Sequence, residues 1–431
     1  MAKLAINGGN KIRTTLFPPY DVIGKEEEAA AVEVIRSGIL SKFLGCWEDD
    51  FYGGPQVRAL EEEWADYFKI KNAVSVNSAT SALYCAVGAL GIEPGDEVIV
   101  SPYTMCASAT APLIYGAIPV FADIEENYYC LDPESVEQRI TSRTKAIIVV
   151  NIFGQPHDAE RIREIADKHG LKVIEDNAQA PGAMCDGKYA GTFGDIGVFS
   201  LNYHKHIHCG EGGIAVTNDD NLAERMRLIR NHAEAVVDDK GYDDFVNMVG
   251  FNLRMTEIEA AISRQQLKKL KGLVETRIEN VNYLSKRLSE LPGITPASVR
   301  ENATHVYYMH PLTYDISKTG VSREKFVEAV KAELMPTTRR ESEGVRVEAG
   351  YTRPLYLLSL YQKQKAFGGQ GYPFNLVPSI SYEKGLCPVC EDIQENKLIL
   401  HDLMRPGMTK KDLDDVYSAF EKVCENKEEL L

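Results

Sequence analysis

The sequence predicts an α/β fold built on a mostly parallel sheet. Seven short β-branched runs carry that expectation: VSV at 74–76, EVIV at 97–100, PVFADI at 119–124, AIIVVNIF at 146–153, KVIED at 172–176, GVFSL at 197–201 and GIAVTN at 213–218. The runs are apolar on both faces, as strands covered by helices on either side must be. Helical stretches separate many of them, and the length of 431 residues favours one large domain plus a smaller one.

One unit shows the logic. After the run that ends at Gly154, Asp158 is placed to cap a helix whose Ile162, Ile165 and Ala166 share one face, and Gly170 suits the position just past its end. The result is a βαβ crossover, and open parallel sheets bind ligands at the carboxyl ends of their strands. The segments to follow are therefore Asn77–Ser81, Tyr103–Met105, Asp176–Gln179 and Ser200–Lys205. From Met255 to Leu291 the pattern turns helical, with Ile262, Leu267, Leu270, Leu273, Ile278, Val281, Leu284 and Leu288 spaced for one face and Gly272 as a point to kink or divide it. Pro292-Gly293 stops that helix and sets the expected division: 1–291 as N-terminal arm, large domain and linking helix, 292–431 as a small C-terminal domain. Beyond it, THVYYMHPL reads as a strand, SREKFVEAVKAEL and KKDLDDVYSAFEKV as helices, and Met335–Pro373 as loop with short helical pieces.

Composition removes several classes. A formal charge of −15 argues against nucleic acid, which requires clustered Lys and Arg. No apolar run reaches the ~18–20 residues of a membrane span, and MAKLAINGGNKIRTT lacks the apolar core of a secretory signal. Nine scattered cysteines suit reduced thiols in a cytoplasm. Cys387 and Cys390 form a CxxC, but no second CxxC or thioredoxin-like context accompanies it, so the spacing reads as coincidence.

The most informative stretch is FSLNYHKHIHCGEGG, Phe199–Gly213. Metal ligation by His204, His206 and His208 would need an extended segment with converging side chains, whereas a run between a strand and glycines reads as irregular loop, so no metal site is expected. No GxxxxGK[ST] phosphate loop occurs. Lys205 fits better as a lysine holding pyridoxal 5'-phosphate, a cofactor that needs an acidic partner to keep its pyridine nitrogen protonated. Asp176, at the end of KVIED, is placed for that task, and Gln179 for the ring hydroxyl. The phosphate wants backbone N–H groups at a helix N-terminus, which Asn77-Ser78-Ala79-Thr80-Ser81 supplies, with the Ser200 hydroxyl near by.

Taken in series, SATSAL, SPYTMCASAT, VIEDNAQAPGA, FSLNYHKHIHCGEGG and GFNLRMTEIEAA resemble the DegT/DnrJ/EryC1/StrS family of sugar aminotransferases, in the family's order and across essentially the whole chain. The resemblance implies the type I aminotransferase fold, with a mixed seven-stranded sheet and a smaller C-terminal α/β domain, working as a homodimer. It implies Lys205 as the cofactor lysine, Asp176 as the pyridinium partner and Gln179 as the ring-hydroxyl contact. Ala79, Thr80 and Ser200 would hold the phosphate, and Asn252 would reach the phosphate of the neighbouring subunit. Two departures stand out. Met105 occupies the place of the usual ring-stacking aromatic, and Ala79 that of a turn glycine. Family members that act as sugar dehydratases carry His where Lys205 aligns.

The expected activity is transfer of an amino group, with glutamate as donor, to a keto sugar, keto sugar acid or cyclitol in polysaccharide or lipopolysaccharide biosynthesis. A dehydratase and a non-catalytic cofactor-binding regulator are the alternatives. LAINGGNKIR and CPVCEDIQENKLIL look closer to relatives with unlinked substrates, among them the branch forming 8-amino-3,8-dideoxy-octulosonate. Arg339, Arg340 and Arg346 lie in a loop that suits bidentate carboxylate capture and, equally, plain solvation.

Overall fold

The computed structural model describes residues 3–431. All seven runs become strands of one sheet: β1 Asn72–Val76, β2 Glu97–Val100, β3 Ile118–Phe121, β4 Thr144–Val150, β5 Lys172–Asp176 and, after a small hairpin of β6 Met184–Cys185 and β7 Lys188–Tyr189, β8 Ile196–Ser200 and β9 Gly213–Thr217. Their order is β1-β9-β8-β5-β4-β2-β3. Strands β3, β2, β4, β5 and β8 are parallel, while β9 runs antiparallel to both of its neighbours, so the sheet is mixed. Burial on both faces explains the absence of polar alternation: every residue of β2, β3, β8 and β9 is buried.

The expected βαβ helix forms at Ala159–His169. Asp158 accepts a hydrogen bond from the Arg161 N–H, Ile162, Ile165 and Ala166 are buried, and Gly170 takes the left-handed conformation at φ 66° that only a residue without Cβ adopts freely.

The long helix spans Glu257–Leu288, 32 residues, capped by Thr256 and Glu259 in a reciprocal capping box. Gly272 neither kinks nor divides it. That glycine is exposed with open space where a side chain would stand, so its cost is the ~1 kcal/mol of backbone freedom relative to alanine, too little to break an anchored helix. Both ends are anchored. Ala260, Leu267, Leu270 and Val274 pack with Trp64, Phe68 and Phe199 beside the large sheet, whereas Val281, Leu284 and Leu288 join a second core.

That second core lies against a four-stranded antiparallel sheet in the order β10-β11-β13-β12: β10 Ile294–Pro296, β11 His310–Tyr314, β12 Val347–Ala349 and β13 Leu398–His401. The helices Arg323–Glu333 and Lys410–Glu425 form where expected, capped by Ser322 and by Thr409 with Asp412. Two expectations need correction. THVYYMHPL is strand only from His310 onward, which leaves Tyr307 and Tyr308 in irregular backbone, and the loop-like Met335–Pro373 conceals β12. Three residues paired on one edge only, as β12 is, leave too short a pattern to recognise. Leu4 and Phe17 also pack into this second core, and Phe17 bridges Thr337.

Cys387 and Cys390 are wholly buried in the main core, with thiols pushed up by burial. Asp123 accepts the N–H groups of Val389 and Cys390 there, a structural arrangement rather than a redox one. Among the described residues no helix is long and apolar enough to cross a membrane.

Three histidines meet in the second core. His310 Nδ1 lies 2.9 Å from His401 Nε2, its other nitrogen lies 3.0 Å from the Ser285 hydroxyl, and His305 stacks on Tyr307. Burial holds His401 at about 4 and His305 at about 3, below the ordinary 6.5, and pushes His310 well down. Each stays neutral in the fold while the unfolded chain takes up a proton. Their contribution is therefore complete above pH 6.5 and is lost as pH falls toward 4. Denaturant titrations at about pH 7.5 and about pH 5 should show stability falling by up to about 1.4 kcal/mol per pH unit for each such histidine. Equal midpoints would refute the neutral assignment.

Candidate active site

The four segments that end β1, β2, β5 and β8 converge on one cavity of about 380 Å³. The parallel polarity of β2, β4, β5 and β8 places their carboxyl ends on a common edge, and β9 returns antiparallel beneath it. Of the sequence-derived residues, Ala79, Thr80, Met105, Asp176, Gln179, Ser200 and Lys205 all line this cavity. Asn252 does not: it is exposed, paired in an isolated bridge with Asn231.

The N-terminus of the helix Ala79–Ala89 opens on the cavity. The Ser78 side chain accepts from the Ser81 N–H at 3.1 Å, and the Ser81 hydroxyl donates to Asn77 Oδ1 at 2.6 Å. The first N–H groups of any helix lack partners within it and carry the positive end of the dipole, so Ala79 and Thr80 present an anion site to the cavity. Gly213 makes this possible. A Cβ there would lie 2.4 Å from the Ser78 carbonyl carbon and 2.5 Å from the Ala79 nitrogen, so only glycine lets β9 pass under the turn.

Asp176 also lines the cavity, 6% exposed. Its Oδ2 accepts from the Ser108 hydroxyl at 2.8 Å and its Oδ1 from the Ala178 N–H at 3.1 Å. Burial pushes this carboxyl up, while Ser108, the Ala178 N–H and Lys205 oppose the shift. Among the described residues it makes no ion pair within 4 Å, so this carboxylate stands ready for a cationic partner in the cavity. Gln179 is already fixed: its Oε1 accepts from the Phe153 N–H at 2.8 Å and its Nε2 donates to the Tyr351 hydroxyl at 3.1 Å. One amide hydrogen remains for a ligand.

Lys205 sits on the loop after β8 with its Nζ 4.4 Å from the centre of the Tyr308 ring. The flanking histidines diverge. His204 accepts from Arg340 Nη2 at 3.3 Å, and burial followed by the nearby Arg340 charge hold it at about 4. His206 is wholly buried with Nε2 2.9 Å from the Val306 carbonyl, and His208 turns toward a different pocket. Among the described residues no three His, Cys, Asp or Glu side chains gather as metal ligands.

Met105 is 59% exposed at the cavity wall. Sequence reasoning missed Ser108, Tyr308 and Tyr351. Ser108 sits inside the quoted SPYTMCASAT and is signalled there. Tyr308 and Tyr351 come from irregular segments distant in sequence, with no local signal that they enter the site.

The cavity fits pyridoxal phosphate. Its volume lies in the range of small-ligand sites, and a helix start, a buried carboxylate and a lysine all line it.

Known proteins resemble this chain over most of its length. The model of the DegT/DnrJ/EryC1/StrS aminotransferase family matches residues 42–421. The chain is 33% identical over 94% of its length, and 96% of the relative's, to the spore coat polysaccharide biosynthesis protein SpsC of Bacillus subtilis (strain 168). It is 31% identical over 99% of its length, and 98% of the relative's, to the L-glutamine:2-deoxy-scyllo-inosose aminotransferase of Streptomyces kanamyceticus. An X-ray structure of the aminotransferase from Psychrobacter cryohalolentis superposes with a TM-score of 0.78 at 28% identity, covering 95% of this chain and 99% of that one. The chain belongs to the pyridoxal-phosphate-dependent DegT/DnrJ/EryC1/StrS aminotransferase family.

Proposed function

We propose that this protein transfers an amino group from glutamate to a keto sugar, keto sugar acid or cyclitol, as a cytoplasmic homodimer with shared active sites. The observation that carries the reading is the convergence of Lys205, Asp176 and the Ala79–Thr80 helix start on one cavity. Full-length similarity to an enzyme named for an inosose and L-glutamine supports an unlinked ring as acceptor and widens the donor to glutamine. Nine free thiols accord with a reducing compartment.

Bound pyridoxal phosphate would supply an electron sink for the carbon that bears the nitrogen. Lys205 would hold the cofactor and, once released, take a proton at that carbon and return it one bond further along. Asp176, held by Ser108 and the Ala178 N–H, would keep the ring nitrogen protonated. Ala79, Thr80 and Ser200 would bind the phosphate, and the Gln179 amide, held by Phe153 and Tyr351, would orient the ring. The dehydratase alternative needs a histidine in the lysine's place. It loses support because His206, one residue on, is wholly buried against a backbone carbonyl, while Lys205 faces the cavity.

The direct test is a panel of keto sugars, keto sugar acids and inososes assayed with glutamate and glutamine, read as release of 2-oxoglutarate or its amide. No release with any acceptor would overturn the proposal. Asp176→Asn should keep bound cofactor yet lose activity on the order of 10²-fold or more. Near-normal turnover would count against its role. Met105→Phe should fold and retain cofactor at least as well as the native chain, because the open wall leaves room for a ring; lost cofactor in a folded variant would show that this face is built otherwise.

Sharing of sites is tested through Asn252, exposed and outside its own chain's cavity. Asn252→Ala should weaken cofactor binding by about 1–3 kcal/mol. Mixed with Lys205→Ala, it should regain activity, since one site of each mixed dimer recovers both residues. If tagged subunits exchange and activity does not exceed that of the Asn252→Ala parent, the sites are not shared.

A further inference from the structure

Tyr20 lines a pocket of about 260 Å³ that adjoins the cofactor cavity and shares Tyr203 and His204 with it. The side chain arrives there on a stiff arm anchored on both sides. The Phe17 N–H donates to the Pro336 carbonyl and the Phe17 carbonyl accepts the Thr338 N–H, both at 3.0 Å, which lays the arm along the small domain. Pro18 and Pro19 then fix φ over the two residues before Tyr20. Past it, the Val22 carbonyl accepts from the Nε2 of Gln266, a wholly buried residue of the long helix, at 2.8 Å. Tyr20 is thereby held between two fixed points.

Two contacts tie this segment to the lysine loop. The Tyr20 hydroxyl donates to the His206 carbonyl, one residue beyond Lys205. Gln266 Oε1 accepts the His208 N–H at 3.2 Å, so the glutamine that holds the arm also holds the loop. The Tyr20 ring has a separate role. It faces two guanidinium groups, Arg277 at 4.8 Å and Arg405 at 5.6 Å from its centre. Arg277 is wholly buried and Arg405 is 8% exposed, and Arg277 Nε and Nη2 and Arg405 Nε find no hydrogen-bond acceptor. Buried guanidinium nitrogens without acceptors are costly, and the negative face of an aromatic ring offsets part of that cost. Arg277 Nη1 donates to the Tyr307 carbonyl at 3.1 Å, which holds the irregular segment whose Tyr308 ring lies 4.4 Å from Lys205 Nζ. Arg405 pairs with Asp402, to which Arg340 and Arg346 are also drawn.

We propose that Tyr20 is a positioning residue for Lys205: its hydroxyl fixes the backbone beside the lysine at His206, and its ring, through Arg277, fixes the segment that presents Tyr308 to the lysine's Nζ. One side chain of the N-terminal arm thus sets both the backbone that carries Lys205 and the aromatic face against which its ammonium lies, although 186 positions separate it from the carbonyl it binds. The inference rests on the assignment of Lys205 as the cofactor lysine and goes beyond it. Without the hydroxyl the His206 carbonyl loses that donor and the loop is free to shift, and a displacement of about 1 Å at a reacting atom costs up to about 10²-fold in rate.

The test compares Tyr20→Phe, which keeps the ring and removes the hydroxyl, with Tyr20→Leu, which removes both, and uses thermal melting to check that each folds. Backbone hydrogen exchange is measured first, in the full-length protein freed of cofactor. In Tyr20→Phe the Phe199–Gly213 segment should exchange about threefold to tenfold faster than in the native chain, the size of one neutral hydrogen bond, while the helix Ala159–His169 keeps its native rate. In Tyr20→Leu the segment Thr304–His310 should accelerate as well, because Arg277 loses its ring. The second measurement follows the rate at which Lys205 of the same protein captures added pyridoxal phosphate, trapped with borohydride and located by mass spectrometry. Capture should slow about threefold or more in Tyr20→Phe and further in Tyr20→Leu. In the loaded enzyme the loss should fall on kcat, with KM for glutamate within about twofold of native. The proposal is overturned if folded Tyr20→Phe matches the native chain in exchange and capture, or if Ala159–His169 accelerates as much as the lysine loop, which would make Tyr20 a general stabiliser. Should the native chain trap no cofactor on Lys205, the reading of that lysine fails, and loop exchange alone then decides whether Tyr20 anchors the segment.

Discussion

The common polarity of β2, β4, β5 and β8 is the constraint on which the rest depends. Parallel strands deliver their carboxyl ends to one edge, so residues from Thr104 to Lys205 meet although about a hundred positions separate them. The register is specific: Val150 lies beside Asp176, which lies beside Val198 on the next strand. Reversal of β9 completes the edge, because the returning strand starts at Gly213 directly under the Ser78–Ala79 turn. A sheet of purely parallel strands would carry that segment away from the site.

Electrostatics divides this edge into zones. The helix start at Ala79 is positive without any charged side chain, Asp176 is a carboxyl pushed up by burial, and Lys205 lies over an aromatic face. Beyond His204 the arginine network begins. His204 marks the border, its imidazole kept neutral by burial and by Arg340. A chain with an overall charge of −15 thus places several arginines beside the site, each paired with a carboxylate, so bulk charge does not describe the site.

The long helix and the N-terminal arm tie the two cores together. Glu257–Leu288 contributes apolar residues to both, and Leu4 and Phe17 pack into the second core before Tyr20 reaches the pocket that adjoins the site. A change in either core therefore bears on the geometry between Lys205, on the large sheet, and Tyr308, Tyr351 and Arg405, which follow the long helix in sequence.

What the sequence determined by itself was everything fixed by local period or by motif. Seven buried strands, the Asp158 cap, the lysine after β8, the aspartate that ends β5 and the helix start at Ala79 are each legible within a few residues, because strand burial, capping and phosphate binding are short-range requirements. The tertiary structure decided the rest. The continuity of the long helix through Gly272 followed from its anchorage in two cores, and β12 was recognisable only beside β13. Ser108 as the partner of Asp176, Tyr351 as the holder of Gln179 and the gathering of Arg340, Arg346 and Arg405 on Asp402 join residues up to 172 positions apart. Which side chains share a charge or a hydrogen bond across such distances depends on how strands and loops stack in space, and no local pattern of residues encodes it.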